Sequence, residues 1–174
     1  MDQVLMPPHI RRHSMMVAEI ALYLARLLNQ NSIRLNLQLV EAGALLHDIA
    51  KPRSLETGEH HNVLGASMLE AWGYPLLAPI VRDHVTMDDA RLNNPITESV
   101  LVNYADKRVK HDQVVTIQER FADLVERYGK DREHRKYLMG KINQYAELER
   151  RIFEHLAIGP TEPALMAITT KSID

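Results

Sequence analysis

The segment Leu37-Gln-Leu-Val-Glu-Ala-Gly-Ala-Leu-Leu-His-Asp-Ile-Ala50 decides the fold, because it is apolar on almost every side and yet ends in a histidine and an aspartate. A helix that is hydrophobic all round is normally buried in a protein core. A buried imidazole beside a buried carboxylate must be paired or must bind a metal ion. His47 and Asp48 therefore indicate a helical protein built around a buried polar centre.

The candidates to complete this centre lie elsewhere in the chain: His13, His61, His84 and Asp106. They are far apart in sequence, so a compact site requires several antiparallel helices to converge, as they do in a bundle. Adjacent residues of a helix point about 100° apart, since there are about 3.6 residues per turn. His47 and Asp48 are therefore expected to reach a centre off the end of their helix, or to bridge two ions.

The rest of the chain has the apolar spacing of amphipathic helices. Pro7-Pro8 precedes the first helix, Asn36 caps the second, Lys51-Pro52 ends it, and Thr116 begins a capping box. The predicted helices cover residues 9–29, 36–50, 61–72, 75–85, 96–109, 116–129 and 131–156, with a polar loop at 53–60. We therefore predict an all-α bundle of about seven helices without a sheet, over residues 1–157, followed by a loose or docked extension over 158–174.

Composition limits the classes of function. The 21 basic and 23 acidic residues nearly balance, so there is no electrostatic case for duplex nucleic acid or an anionic membrane as the main partner. The chain begins without the pattern of a secretory signal and has no apolar stretch of membrane-spanning length, so a cytoplasmic protein is expected. The absence of cysteine excludes disulfides and thiolate metal sites. The last helix and the extension are candidates for forming a homodimer.

The candidate donors point to metal chemistry. Imidazoles and carboxylates without sulfur suit one or two divalent transition metal ions, namely iron, manganese, cobalt, nickel or zinc, whereas magnesium prefers oxygen alone. Of these, iron or manganese is the expected ion. Such an ion acidifies a bound water, which can then attack phosphorus. Lys51, three residues after Asp48, is placed to reach a phosphate oxygen, and Lys107 and Arg108 are further candidates for that role.

The order of these motifs is similar to that of a known family. His13, then Leu46-His47-Asp48-Ile49-Ala50-Lys51, then Asn103-Tyr-Ala-Asp106 resembles the signature of the HD-domain superfamily of metal-dependent phosphohydrolases, in the variant that reads His-Asp-Ile-Gly-Lys but with Ala50 replacing the glycine. His61-Asn-Val-Leu-Gly65 and Arg82-Asp83-His84 resemble the further ligand motifs of its two-metal members. The resemblance covers roughly residues 9–110 and is strongest to small single-domain bacterial members.

The resemblance implies an all-α hydrolase of a small phosphorylated substrate such as a nucleotide. Its implied metal ligands are His13, His47, Asp48, His61, His84 and Asp106, and its implied catalytic residues are Asp48, which anchors the attacking water, and Lys51, which orients the phosphate. Two alternatives share the fold: a di-iron oxygenase, and a non-catalytic nucleotide-binding regulatory module. His61 is preferred to His60 because Gly65 then falls at the family spacing. The histidines without such context, at positions 9, 111, 134 and 155, are expected to be solvated.

Overall fold

The computed structural model describes residues 6–31, 33–88, 92 and 95–170. The helices of this part are α1 (Pro8–Gln30), α2 (Leu37–Leu46), α3 (Lys51–Thr57), α4 (His61–Ala71), α5 (Ala78–Asp83), α6 (Glu98–Asp106), α7 (Ile117–Tyr128), α8 (Arg132–Phe153) and α9 (Pro163–Met166). A two-stranded antiparallel ribbon, β1 (Val109–Lys110) and β2 (Gln113–Val114), lies between α6 and α7. The all-α prediction is confirmed.

Three of the predicted helix starts are confirmed by the structure. Pro8 opens the first turn of α1, where its missing amide hydrogen costs nothing. The Asn36 side chain accepts hydrogen bonds from the first amides of α2, and Thr116 with Glu119 forms the reciprocal capping box of α7. These caps pair helix-end amides that would otherwise lack partners.

The core lies where α1 packs against α2 and α6, and α5 packs against α4 and α6. It is filled by aliphatic side chains such as Val17, Ile20 and Leu24 of α1 and Leu101 of α6, all buried. Burying each side chain of this size contributes about 1.5–3 kcal/mol. The helices that carry the polar centre are therefore fixed to one another by packing.

The C-terminal residues contact this core. Leu165 is fully buried, and the guanidinium of Arg108 donates a hydrogen bond to the carbonyl oxygen of Pro160 at 2.7 Å. On α8, Tyr137 and Met139 are exposed. The domain division after residue 157 and self-association through this region stay predictions.

Two predicted boundaries near the polar centre are wrong. Helix α2 ends at Leu46 rather than near residue 50, and residues 47–50 form a turn. Pro52 begins α3 instead of ending α2, because proline is well tolerated in a first helical turn. The predicted polar loop at 53–60 is therefore mostly helical, up to a left-handed Gly58 (φ 73°). Helix α3 buries none of its residues, so it has no apolar periodicity to detect.

Smaller differences occur further along the chain. The fourth predicted helix begins at Ala78 instead of residue 75, and the fifth ends at Asp106, so that Val109 enters the ribbon. The expectation of no strand is wrong at this ribbon, because strands of two residues are too short for an alternating pattern to be visible. Within the described ranges, none of the helices combines the length and the apolar character needed to cross a membrane.

Candidate metal centre

The structure brings the six predicted donors together at the meeting point of five elements. Each donor lies near the end of a helix or in its opening turns: His13 in α1, His47 and Asp48 in the turn after α2, His61 at the start of α4, His84 after α5, and Asp106 at the end of α6. His47 and Asp48 directly follow the last residue of α2, so both side chains reach the centre off the helix end, as expected.

A first donor group consists of His13, His47, Asp48 and Asp106. The Oδ1 atom of Asp106 lies 3.0 Å from Nε2 of His13 and 3.8 Å from Nε2 of His47. The Oδ2 atom of Asp48 lies 3.3 Å from Nε2 of His47 and 4.0 Å from Nε2 of His13. Ligand atoms of His13, His47 and Asp48 lie within 4.8 Å of one another, and Asp106 faces both imidazoles.

A second donor group consists of Asp48, His61 and His84. The other carboxylate oxygen of Asp48, Oδ1, lies 3.4 Å from Nε2 of His61 and 3.3 Å from Nε2 of His84. These two Nε2 atoms are 3.1 Å apart. Asp48 thus belongs to both groups and presents one oxygen to each.

Three of the imidazoles are held in the same way, through Nδ1. The Nδ1 atoms of His47, His84 and His13 lie 2.7, 2.6 and 2.8 Å from the main-chain carbonyl oxygens of Ala44, Val81 and His111, respectively. A carbonyl oxygen can only accept, so each Nδ1 carries the hydrogen. In a neutral ring, Nε2 is then left with a lone pair directed into the donor groups.

These lone pairs and carboxylate oxygens face one another without a hydrogen between them. The buried Nε2 of His47 and Oδ1 of Asp48 make no hydrogen bond within the described residues, whereas Oδ2 of Asp48 has the Lys51 ammonium as its partner at 2.6 Å. Burying Nε2 and Oδ1 unpaired is costly, and a cation placed among the donors would satisfy them. The donors present therefore fit a divalent metal ion.

The ionisation of the imidazoles agrees with this fit. Burial, followed by the neighbouring His84, lowers the pKa of His61 to about 4, and burial lowers the pKa of His84 as well. Both rings are thus neutral near pH 7, the form that binds metals. For His47, burial acts to lower the pKa, but the adjacent Asp48 outweighs it and the pKa is raised. The same negative potential attracts a metal cation.

The two carboxylates are held in the charged form. Burial acts to raise the pKa of Asp48, but His47 outweighs it and keeps the pKa well below the usual value. In Asp106, burial is outweighed mainly by Lys107, and the pKa is again well below the usual value. Two charged carboxylates beside the neutral rings of His61 and His84 form a site suited to a divalent ion.

The basic residues near the donors differ in what they can reach. Lys51 Nζ lies 2.6 Å from Oδ2 of Asp48, and its side chain is 40% exposed. Lys107 is buried and donates to Oδ2 of Asp106 at 2.5 Å and to the carbonyl oxygen of His84 at 3.0 Å. Arg108 is also buried and is bound to protein groups, including Glu149 at 3.2 Å. Both side chains are therefore bound to protein groups and are less exposed than that of Lys51, and phosphate contact by Lys107 or Arg108 stays a prediction.

Sequence reasoning missed the residues that hold the donors in place. Asn103 donates hydrogen bonds to the main-chain oxygens of Asp83 at 2.8 Å and His84 at 3.1 Å, and accepts one from the Tyr145 hydroxyl at 2.7 Å. The available signal was an asparagine one helical turn before Asp106 on an otherwise apolar helix.

Glycines permit the close approach of the donor-bearing helices. A Cβ atom on Gly65 would lie 2.9 Å from Val81 Cγ1, and one on Gly43 would lie 2.5 Å from Ile80 Cγ2. Any larger residue would therefore push α4 or α2 away from α5. Gly65 also lies one helical turn after His61, whose ring enters the centre, while His60 is exposed.

Comparison with known proteins agrees with this geometry. The sequence pattern of the HD domain family matches residues 10–110, which is more than half of the chain and includes all six donors. The chain belongs to the HD-domain family. This family forms part of a superfamily of metal-dependent phosphohydrolases, so the resemblance inferred from the motifs is confirmed.

This HD-domain protein is 29% identical over 136 residues to an uncharacterized protein of Methanocaldococcus jannaschii. The alignment covers 71% of this chain and 79% of that protein. No solved structure gives a significant match.

Proposed function

We propose that this HD-domain protein is a hydrolase that uses two divalent transition metal ions to cleave a small phosphorylated substrate, such as a nucleotide. The first donor group would hold one ion and the second donor group the other, with Asp48 shared between them. Four imidazoles among six ligands favour a transition metal ion over magnesium. We propose iron or manganese as the ion, with cobalt, nickel or zinc as substitutes.

The observation that carries this proposal is that Lys51, an exposed cation, lies beside donor side chains that are mostly buried. His47 and Asp48 have side chains that are only 1% exposed, whereas those of Lys51 and His61 are 40% and 25% exposed. The centre therefore opens to solvent on the side of Lys51 and His61. A positive charge at this opening suits an anionic substrate.

The residues of the chain then have distinct tasks. A divalent ion, when bound, supplies an acidified water and neutralises negative charge on the phosphoryl oxygens. Asp48 lies between the two donor groups and orients the attacking water. Lys51 binds a phosphate oxygen at the opening and so fixes the phosphorus relative to that water. The buried walls around His47 and His84 exclude bulk water and strengthen these charge interactions.

A released-phosphate screen tests the proposal. Metal-free protein is supplied with Mn²⁺, Fe²⁺, Co²⁺, Ni²⁺ or Mg²⁺ in turn and offered nucleotides and phosphate monoesters. We expect phosphate release with a transition metal and its loss in Asp48→Ala, while Glu154→Ala, an exposed carboxylate on the surface, serves as the matched control. Activity of the Asp48→Ala variant equal to that of the parent protein would refute the assignment.

The imidazole-rich donor set also suits a di-iron oxygenase, the alternative within this fold. Oxygen consumption by protein loaded with iron under anaerobic conditions would favour that reading, whereas phosphate release without oxygen would exclude it as the main activity. Tight nucleotide binding with no turnover under any metal would instead favour a regulatory module.

A further inference from the structure

The ribbon that follows α6 has an unusual backbone conformation at its tip. Val109 pairs with Val114 and Lys110 with Gln113, which leaves His111 and Asp112 as a two-residue loop. His111 has a φ of 58°, and no other non-glycine residue in the described part of the chain has a positive φ. A two-residue hairpin loop requires a positive φ at its first residue, and a residue with a Cβ atom adopts this left-handed conformation at an energetic cost.

The strained residue directs its main-chain carbonyl to the metal centre. The carbonyl oxygen of His111 lies 2.8 Å from Nδ1 of His13 and accepts its hydrogen. Nε2 of His13 then faces Oδ1 of Asp106 at 3.0 Å with a lone pair. The contact spans 98 residues of sequence.

His13 requires a distant carbonyl because of its place in a helix. His47 and His84 lie just after helix ends, where the last carbonyl oxygens have no partner within the helix and can accept from an imidazole of the same turn. His13 lies inside α1, whose carbonyl oxygens bond to amides four residues later. Its ring must therefore be oriented by another segment.

The tip of the ribbon is itself held from two sides. The ring Nε2 of His111 accepts a hydrogen bond from Arg127 of α7 at 2.8 Å, and Arg127 is paired with Asp123 at 2.9 Å. On the other side, Asp112 lies 3.4 Å from Nε of Arg12, the neighbour of His13. His111, Asp112 and α7 all lie beyond residue 110, where the family match ends.

We propose that the turn at His111 is a positioning element of the metal centre, whose main-chain carbonyl holds His13 with Nε2 directed at the ion of the first donor group. This inference rests on the proposed function, since it presumes that His13 binds metal. The two-residue loop requires a positive φ at His111, and the resulting turn places a carbonyl where α1 has none to offer. The conformation of the turn, rather than the imidazole of His111, is the feature that matters.

Substitutions at position 111 separate the carbonyl from the side chain. His111→Val introduces a β-branched residue, which resists the left-handed conformation. His111→Gly introduces a residue that adopts this conformation freely and still has the main-chain carbonyl. Mn²⁺ binding is measured by calorimetric titration of the full chain. We expect His111→Val to weaken the binding of one of the two ions by about 10–100-fold, the usual effect of losing a residue that orients a ligand. We expect His111→Gly to retain most of the affinity of the parent protein.

The matched control is His155→Val, the same change at another exposed histidine, and we expect it to bind Mn²⁺ as the parent protein does. Parent-like binding of both ions by His111→Val would overturn the inference, and so would an equal loss in His111→Gly. Absence of Mn²⁺ binding in the parent protein would instead refute the proposed function.

A second measurement needs no variant. The nitrogen chemical shifts of the His13 ring, recorded by NMR on the Zn²⁺-loaded protein, report which nitrogen carries the hydrogen. We expect hydrogen on Nδ1 and metal on Nε2. Hydrogen on Nε2 in protein that has bound Zn²⁺ would overturn the inference even if His111→Val failed to fold.

Discussion

Replacing Asp48 with asparagine should abolish the stabilisation of the protein by metal at both donor groups. Asparagine keeps the shape of the side chain, but it removes the charge and replaces one of the two oxygens that face the groups at 3.3–3.4 Å. An ion at about 100 times its dissociation constant stabilises a folded protein by about 2.7 kcal/mol, so two ions contribute about 5 kcal/mol. For a chain of this size, about 1 kcal/mol corresponds to 2–4 °C in Tm. The parent protein should therefore gain about 10–20 °C with Mn²⁺.

Differential scanning calorimetry with Mn²⁺ and with chelator measures this gain directly. We expect almost none in Asp48→Asn. Two control variants each remove one group only: Asp106→Asn affects the first and His84→Gln the second, and each should keep about half of the gain. The gain is compared within each variant, because Asp106→Asn also leaves buried Lys107 without its partner. A full gain in Asp48→Asn, or a loss equal to that of one control, would refute the shared role of Asp48.

Three further predictions concern charged residues around the centre. Lys51→Met should lower kcat/KM for a phosphorylated substrate about tenfold, about 1.4 kcal/mol. The Mn²⁺-induced gain in Tm should not fall, because Asp48 loses a cation that competes with the ion for Oδ2. Arg108→Met should lower the free energy of unfolding by about 3 kcal/mol in urea denaturation, because Glu149 loses its buried partner. At Asp123, burial acts to raise the pKa, but Lys110 and other cations outweigh it, so the pKa in the folded protein is depressed. The stabilisation from this carboxylate is therefore present above about pH 4 and lost below it. Asp123→Asn should flatten the fall of the unfolding free energy at acid pH, as measured by urea denaturation.

The six donors were predictable because each stands in a short motif whose order along the chain is itself informative. Most of the helices were predictable from their apolar periodicity, because α1, α7 and α8 each bury one face. The turn at residues 47–50 was not predictable, because the apolar pattern of α2 continues through Ile49 and Ala50, which are buried in a second, smaller cluster with Met6 and Ile10. Helix α3 was missed for the opposite reason, since it buries nothing.

The residues that hold the donor side chains in place were harder to predict than the donor residues themselves. Asn103 and Lys107 act through main-chain oxygens of residues about twenty positions away, and only the packing of α5 against α6 brings them together. His111 looked like a solvated histidine, and its side chain is indeed exposed. The atom that reaches His13 is its carbonyl oxygen, which every residue possesses, so no residue type marks it in the sequence.

If the proposed function is right, two ions lie side by side in this protein and share Asp48. Anomalous diffraction from crystals of the Mn²⁺-loaded protein, recorded at an energy where manganese scatters strongly, locates each ion directly. We expect two peaks, one within coordination distance of His13, His47 and Asp106, the other of His61 and His84, and both in contact with the Asp48 carboxylate. Peaks away from Asp48, or no peak among these side chains, would contradict this proposal.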